Sequence, residues 1–514
     1  MPITLRHIIF IAIALVAVST PLFSDADWDK AKKEFIADGK SYDEDVRVTV
    51  TAKLIDNMSP AVEGEVVILL SNQILSELGR NKKGKKEEAV SIKVIDTCVE
   101  GLRRIKEDKA VKMLIDNGNK KNEDWRFRFY VIKALGGVNK PEVVKALVSL
   151  IKDQKITVQI AAFRALGQLK APDALEPAAE LLIGKSADSP ANRGKANWQV
   201  KLAVIDYCRA LCSAEALKPL KAALKERNTM EPRVFSALLK ALEEVTKKMP
   251  AEGNDPLLTT KGIILGEYYG TPIESSNIVF LMDTSGSMEA PVKYTPPPPE
   301  KEKEKITISG AGPGAGEDKK PAVPEHLRKR KNELDKKPVK TRLDAVKKEL
   351  INAIYNLDET VNFSIIFYSS GVRAWKIRTI PANFENKLSA INAVDRQNPD
   401  GATTIYDALE YAYKIMVKTS SKKPDSPLEE VDGADTFYLL TDGYPTEGKI
   451  VDPKAIIEAI RKINEIRQVK INTIAIGSPG AGAPNVSGPS LEVNNDFLKQ
   501  LAEITGGTFV DKTK

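Results

Sequence analysis

The chain has 514 residues, and single hydrophobic cores rarely grow that large, so we expect two or three domains. Hydrophobic residues make up 42% and charged residues 29% of the sequence, which is typical of folded globular domains. Basic residues number 77 and acidic residues 70, which gives a formal net charge of +7. So mild an excess over a long chain gives no indication of nucleic acid as a partner.

Cysteine and histidine are too scarce to support the chemistry that usually relies on them. Cys98, Cys208 and Cys212 cannot form a disulfide framework, and we expect them to be small buried side chains. The two histidines, His7 and His326, lie in the N-terminal leader and in a low-complexity segment. The sequence therefore predicts neither histidine-based catalysis nor a zinc site.

Residues 1–24 have the layout of a secretory signal. Arg6 precedes an apolar run from Ile8 to Val18, and small and turn residues follow. The run is shorter than the roughly 20 apolar residues of a membrane span. We expect a mature N-terminus between Thr20 and Asp27 and export to the periplasm, the cell envelope or the medium. The alternative is a retained leader, which would be the protein's membrane contact.

The region 27–248 consists of one helical pattern after another. Segments beginning at Phe129, Ala161 and Leu202 resemble one another, each with a helix, a turn marked by Gly, Pro or Ser, and a second helix. Each pair must stack on its neighbours to bury its apolar stripe. The ALG-x-L-x-x-P pattern at 165–172 resembles HEAT repeats, which implies an N-terminal α-solenoid with a surface for a second protein partner. A plain helical bundle is the alternative.

From residue 277 to the C-terminus, short apolar runs alternate with amphipathic helical patterns. The predicted strands begin at Asn277, Phe363, Asp435, Val469 and Gly506, and the predicted helices at Arg342, Thr404 and Pro453. Such alternation predicts a doubly wound, largely parallel α/β (Rossmann-like) domain over 277–514, with 249–276 as the linker. The overall expectation is a multidomain α plus α/β protein.

Five oxygen-bearing side chains are predicted to meet at one edge of this sheet. Asp283, Ser285 and Ser287 directly follow the first strand, Asp442 ends another, and Thr403 opens a helix. Ligands bind open parallel sheets at the carboxyl ends of the strands. Hydroxyl and carboxylate oxygens suit Mg²⁺, which prefers octahedral oxygen coordination and keeps some waters. A metal held mainly by hydroxyls would accept a carboxylate from another protein.

The segments DTSGS, GAT and TDG resemble the metal-ion-dependent adhesion site of von Willebrand factor A-type domains. The resemblance covers the region from Tyr268 to the C-terminus, apart from one inserted segment. It implies that Ser285, Ser287 and Thr403 coordinate Mg²⁺ (or Mn²⁺ or Ca²⁺). It also implies that Asp283 and Asp442 act through water and that an acidic residue of a protein ligand completes the shell.

Residues 289–340 interrupt the α/β pattern with TPPPPEKEKEK and GAGPGAGEDKKPAVP. They are charged and poor in aromatic residues, which predicts a disordered insertion. Because the insertion leaves the chain beside the metal site, its acidic residues could occupy that site in cis or gate it. The alternative is a solvated loop without a role.

Together these features favour an exported, metal-dependent protein-binding, adhesion or scaffold protein. One alternative is a non-catalytic adaptor subunit of a larger assembly. An enzyme is the other, but no nucleophile–base pair, paired catalytic carboxylates or cofactor loop is evident in the sequence.

Overall fold

A computed structural model describes residues 25–79, 91–121, 123–183, 197–226, 230–248, 262–292, 323–418, 432–442, 444–477 and 494–512. The chain divides into two compact units, 1–174 and 175–514. The predicted leader, 1–24, lies outside the described residues, as do 293–322 of the predicted insertion. Within the described ranges, no helix combines the length and apolar character needed to cross a bilayer.

The first unit is a stack of helices in two layers. Its helices are α1 (Asp25–Asp38), α2 (Glu44–Asp56), α3 (Glu63–Gly79), α4 (Ile92–Arg103), α5 (Asp108–Asn119), α6 (Trp125–Leu135), α7 (Pro141–Leu150) and α8 (Ile156–Gln168). Helices α2, α4, α6 and α8 pack successively in one layer, and α3, α5 and α7 in the other. Each helix contacts its neighbours along the stack, which is the packing of a solenoid of helical pairs.

Four more helices belong to the second unit. They are α9 (Leu175–Leu182), α10 (Trp198–Leu211), α11 (Ala214–Leu224) and α12 (Pro232–Lys248), and they also pack as pairs. The side chain of Gln199 donates to the carbonyl of Arg467 at 3.0 Å, and that of Gln468 donates to the carbonyl of Gln199 at 2.8 Å. Arg233 donates to the carbonyls of Asp435 and Gln468. These helices are therefore bonded to the α/β part of their unit.

The sheet of the second unit is mostly parallel. Its strands are β3 (Asn277–Asp283), β4 (Asn362–Tyr368), β5 (Val372–Ala374), β6 (Arg378–Pro381), β7 (Met416–Val417), β8 (Thr436–Thr441), β9 (Lys470–Ile476) and β10 (Phe509–Lys512), and a hairpin of β1 (Glu267–Tyr268) and β2 (Thr271–Pro272) precedes them. The strand order is β10-β9-β8-β3-β4-β6-β7, with β5 beside β4. Strand β3 is central and pairs in parallel with β4 and β8. The predicted α/β fold is confirmed.

Helices cover both faces of the sheet, so the strands β3, β4, β8 and β9 are buried on both sides. Along β3, Phe280 and Met282 enter one core and Val279 and Leu281 the other. The first core is closed by α13 (Glu325–Asp335), α14 (Arg342–Asn356) and α15 (Phe384–Asp395). The second is closed by α16 (Ile405–Tyr413), α17 (Pro453–Arg467) and α18 (Asn495–Ile504).

Part of the predicted insertion is ordered, and there the prediction of disorder from composition was wrong. Residues 325–335 form helix α13, whose Leu327 and Leu334 are buried in the first core. Arg330 on the same helix pairs with Asp395 at 2.8 Å. Composition averages over the segment, whereas two leucines at helical spacing suffice to attach a polar helix to an apolar face.

Candidate metal-binding site

The residues predicted to hold a metal converge at the carboxyl ends of the central strands. Asp283 is the last residue of β3, and Asp442 directly follows β8. The loop that carries Thr403 is tied to the DTSGS loop, because the Gly286 amide donates to the Gly401 carbonyl at 2.9 Å. Parallel strands end at one edge, so residues distant in the sequence meet here.

Four of the five residues are linked through direct contacts. One oxygen of Asp283 accepts from the Ser285 amide at 2.9 Å, and the Oγ atoms of Ser285 and Ser287 lie 3.0 Å apart. Ser287 in turn donates to Oδ1 of Asp442 at 2.8 Å. The chain of contacts therefore runs from the end of one strand to the end of its neighbour.

Thr403, the fifth residue, is held in place through its backbone. Its amide donates to Oγ1 of Thr446 at 2.9 Å, and its carbonyl accepts from the Thr446 amide at 2.9 Å. Thr446 lies in the loop that follows Asp442, so the loops bearing Thr403 and Asp442 are bonded to each other. Thr403 is buried at this edge of the sheet.

The electrostatics of the site favour an added positive charge. The pKa of Asp283 is raised to about 7, mainly by burial and secondly by the neighbouring Asp442. Two buried carboxylates thus repel each other at this edge, although the Ser285 amide and the Thr441 hydroxyl, at 2.7 Å, both donate to Asp283. A cation placed between the two carboxylates would relieve that repulsion.

The spacing of the serine hydroxyls fits a magnesium-type ion. Neighbouring ligands of an octahedron with bonds of about 2.1 Å lie about 3.0 Å apart, and the Oγ atoms of Ser285 and Ser287 are separated by 3.0 Å. Among the described residues, no three His, Cys, Asp or Glu side chains are grouped for metal binding. A divalent cation held here would therefore take most of its protein ligands from hydroxyls, which hard cations accept.

Sequence reasoning missed one residue of the site. Arg342, the first residue of α14, pairs through Nη1 with Oδ2 of Asp442 at 2.8 Å, and both side chains are buried. It follows the long inserted segment, so no spacing in the sequence links it to the other site residues. A basic residue opening a helix is unremarkable by itself, and only the fold reveals its neighbour.

Gly401 allows the two site loops to meet, and its replacement by alanine is expected to weaken the site. Its φ is +73°, and an added Cβ would lie 2.7 Å from Oγ of Ser370. We expect Gly401→Ala to cost about 1–2 kcal/mol of stability and to weaken metal binding. Thermal unfolding and Mg²⁺ titration measure both effects. Gly371→Ala, in the adjacent loop with no atom within 4 Å of its Cβ, is the matched control. Equal behaviour of the two variants would contradict this role.

Comparison with known families assigns both regions of the chain. The von Willebrand factor type A domain model matches residues 338–514, and the HEAT repeat model matches residues 117–190. The chain therefore carries a von Willebrand factor type A domain preceded by HEAT repeats. The first match begins at residue 338, near the end of the insertion, and omits β3, yet β3 is the central strand of the same sheet.

Several curated relatives are inter-alpha-trypsin inhibitor heavy chains. Heavy chain H1 of Mesocricetus auratus is 30% identical over 123 residues, which are 24% of this chain and 12% of that protein. Heavy chain 4 of Mus musculus is 25% identical over 166 residues, 32% of this chain and 16% of that protein. The similarity thus spans less than a fifth of either relative.

Two solved structures are also similar. A von Willebrand factor type A protein from Catenulispora acidiphila has a TM-score of 0.28 and 17% identity, covering 47% of this chain and 39% of that chain. An aerotolerance-related membrane protein from Bacteroides fragilis has a TM-score of 0.27 and 13% identity, covering 46% and 90%. Similarities of this size have no bearing on function.

Proposed function

We propose that this protein binds other proteins through a divalent metal, Mg²⁺ being the best fit and Mn²⁺ or Ca²⁺ the alternatives. Ser285, Ser287 and Thr403 supply hydroxyl ligands, and Asp283 and Asp442 act through water. An acidic side chain of the partner completes the coordination. The observation that carries the proposal is the contact chain from Asp283 through the two serines to Asp442.

The surface around the site is open enough for a partner to reach it. Gly286 is exposed and Ser287 is half-buried, whereas Asp283 is fully buried. Tyr444, just beyond Asp442, is 40% exposed. An incoming carboxylate would therefore meet the hydroxyl side of the site, and we propose that Tyr444 offers the partner apolar contact.

The proposal extends to the location of the protein and to the role of its HEAT repeats. A von Willebrand factor type A domain, with relatives among the inter-alpha-trypsin inhibitor heavy chains, supports a role in protein interaction rather than in catalysis. We propose that the protein is exported and that its HEAT repeats offer a surface to a second partner. The alternative of an adaptor subunit shares the same site and differs in where the assembly forms.

Metal binding is the direct test. Asp283→Asn and Asp442→Asn are each expected to weaken Mg²⁺ binding by about ten- to a hundredfold, as removing an outer-shell partner usually does. Titration calorimetry on the full chain measures the affinity. Glu359→Ala, an exposed acidic residue just before β4 and so at the opposite edge of the sheet, is the matched control and should bind as the parent does.

Two results would decide against this function. Unchanged Mg²⁺ affinity in both aspartate variants would contradict the assignment of the metal site. Partners recovered from native cell envelopes should be lost in EDTA and restored by excess Mg²⁺. Recovery of the same partners in EDTA would show that binding does not use the metal.

A further inference from the structure

Arg342 is the charged residue at this site that the proposed coordination does not use. Its backbone is fixed from two directions, because its amide donates to the Ala290 carbonyl at 2.9 Å and it opens a capped helix. The cap is a capping box in which Thr341 and Asp344 each bond the other's backbone. Arg342 is therefore placed by the base of the insertion and by the helix start together.

The guanidinium group is buried at a cost that its hydrogen bonds only partly offset. The Arg342 side chain is 4% exposed and the Asp442 side chain 0%, with Nη1 and Oδ2 2.8 Å apart. Among the described residues, Nε of Arg342 has no hydrogen-bond partner. Burying a guanidinium removes its hydration, so a buried ion pair of this kind is weak evidence of stabilisation. Its position against an aspartate of the metal site suggests a role in the charge of that site.

The positive charge of Arg342 affects which ligand binds to the metal. Asp283 and Asp442, when ionised, carry two negative charges, which a divalent cation alone would balance. With the guanidinium in contact with Asp442, the loaded site instead retains one positive charge. A buried positive charge is best compensated by an anionic group, and the open hydroxyl side around Ser287 is where such a group can approach.

We propose that Arg342 is a specificity-determining residue that keeps the metal-loaded site electropositive. It favours a carboxylate as the incoming ligand and weakens the intrinsic affinity for the divalent ion. Metal and carboxylate then bind cooperatively, because each offsets a charge that the other leaves uncompensated. This inference depends on the proposed metal site but goes further, since it assigns a role outside the coordinating set.

The test compares Arg342→Gln, which retains a hydrogen-bond donor without the charge, with Arg342→Lys, which retains the charge. In Mg²⁺ titrations of the full chain in chloride, the glutamine variant should bind roughly tenfold more tightly than the parent, and the lysine variant about as the parent does. Replacing chloride by acetate at equal ionic strength supplies a simple carboxylate. Acetate should tighten Mg²⁺ binding in the parent and the lysine variant more than in the glutamine variant.

Each outcome separates the inference from the function on which it depends. If the parent binds Mg²⁺ and the glutamine variant binds it equally or more weakly, the role of Arg342 is wrong but the proposed metal site stands. An equal acetate effect in the parent and the glutamine variant overturns the selection of a carboxylate. No Mg²⁺ binding by any of the three proteins overturns the proposed function itself. If the glutamine variant does not fold, tighter binding by the lysine variant still contradicts the inference.

Discussion

Replacing Arg233 by alanine is expected to lower the free energy of unfolding of the second unit by about 2–4 kcal/mol. Arg233 lies on α12 and donates to the carbonyls of Asp435 and Gln468, just before β8 and β9. Its guanidinium also stacks 5.0 Å from the centre of the Trp198 ring. Alanine would deprive two part-buried carbonyls of these donors and would remove the stacked cation.

Urea unfolding followed by circular dichroism measures the effect, with Arg209→Ala as the control. Arg209 lies on α10, and its side chain is 41% exposed in ion pairs with Asp206 and Glu244. Pairs of that kind contribute about 0–1 kcal/mol. Equal losses in the two variants would mean that the bonds of Arg233 to the α/β part do not hold α12 in place.

The contacts of Arg233 also affect where the chain can be truncated without loss of stability. We propose that a fragment beginning at Leu175 retains the stability of the second unit, whereas one beginning at Gly262 loses part of it. The helical region expected over 27–248 is divided between the two compact units, with the boundary at residue 174. Repeat similarity reports which helix faces are apolar, but not which surface each face meets.

Leu327→Ala is expected to destabilise the second unit by about 2–4 kcal/mol, because the side chain is fully buried beneath α13 and its removal leaves a cavity. Thermal unfolding measures the loss. Lys329→Ala on the same helix is the control, since Lys329 is exposed and alanine favours helices. A Leu327 variant as stable as the lysine variant would show that α13 is not attached to the core.

This result would also refine what can be deleted from the insertion. Removing 293–322 leaves α13 and the base of the insertion in place, so stability and Mg²⁺ affinity should stay near those of the parent. A deletion that extends through residue 335 takes away Leu327, Leu334 and the Arg330–Asp395 pair. It should therefore cost at least as much as Leu327→Ala.

The sequence alone predicted the sheet and the meeting of the site residues for identifiable reasons. Buried parallel strands read as continuous apolar runs, as at Asn277–Asp283, and the rule that such strands share one edge places Asp283 near Asp442. Helix α15 and the antiparallel strand β6 went unpredicted, because neither has a long apolar run or a strong periodic stripe. The contact of Arg342 with Asp442 depends on packing across the fold, which no local pattern reports.

The base of the insertion has a consequence for how this domain can evolve. Pro291 and Thr341 form an antiparallel bridge, and the Val292 amide donates to the Lys340 carbonyl at 3.2 Å, so the two ends of the insertion are bonded to each other. In general, doubling the length of a chain segment whose ends are held together costs only about 0.6 kcal/mol of closure entropy. A change in the length of the segment between residues 293 and 322 is therefore expected to alter the free energy of folding very little. Insertions and deletions can then accumulate there while the central strand stays in register. An entire foreign module spliced there would meet the same low thermodynamic barrier.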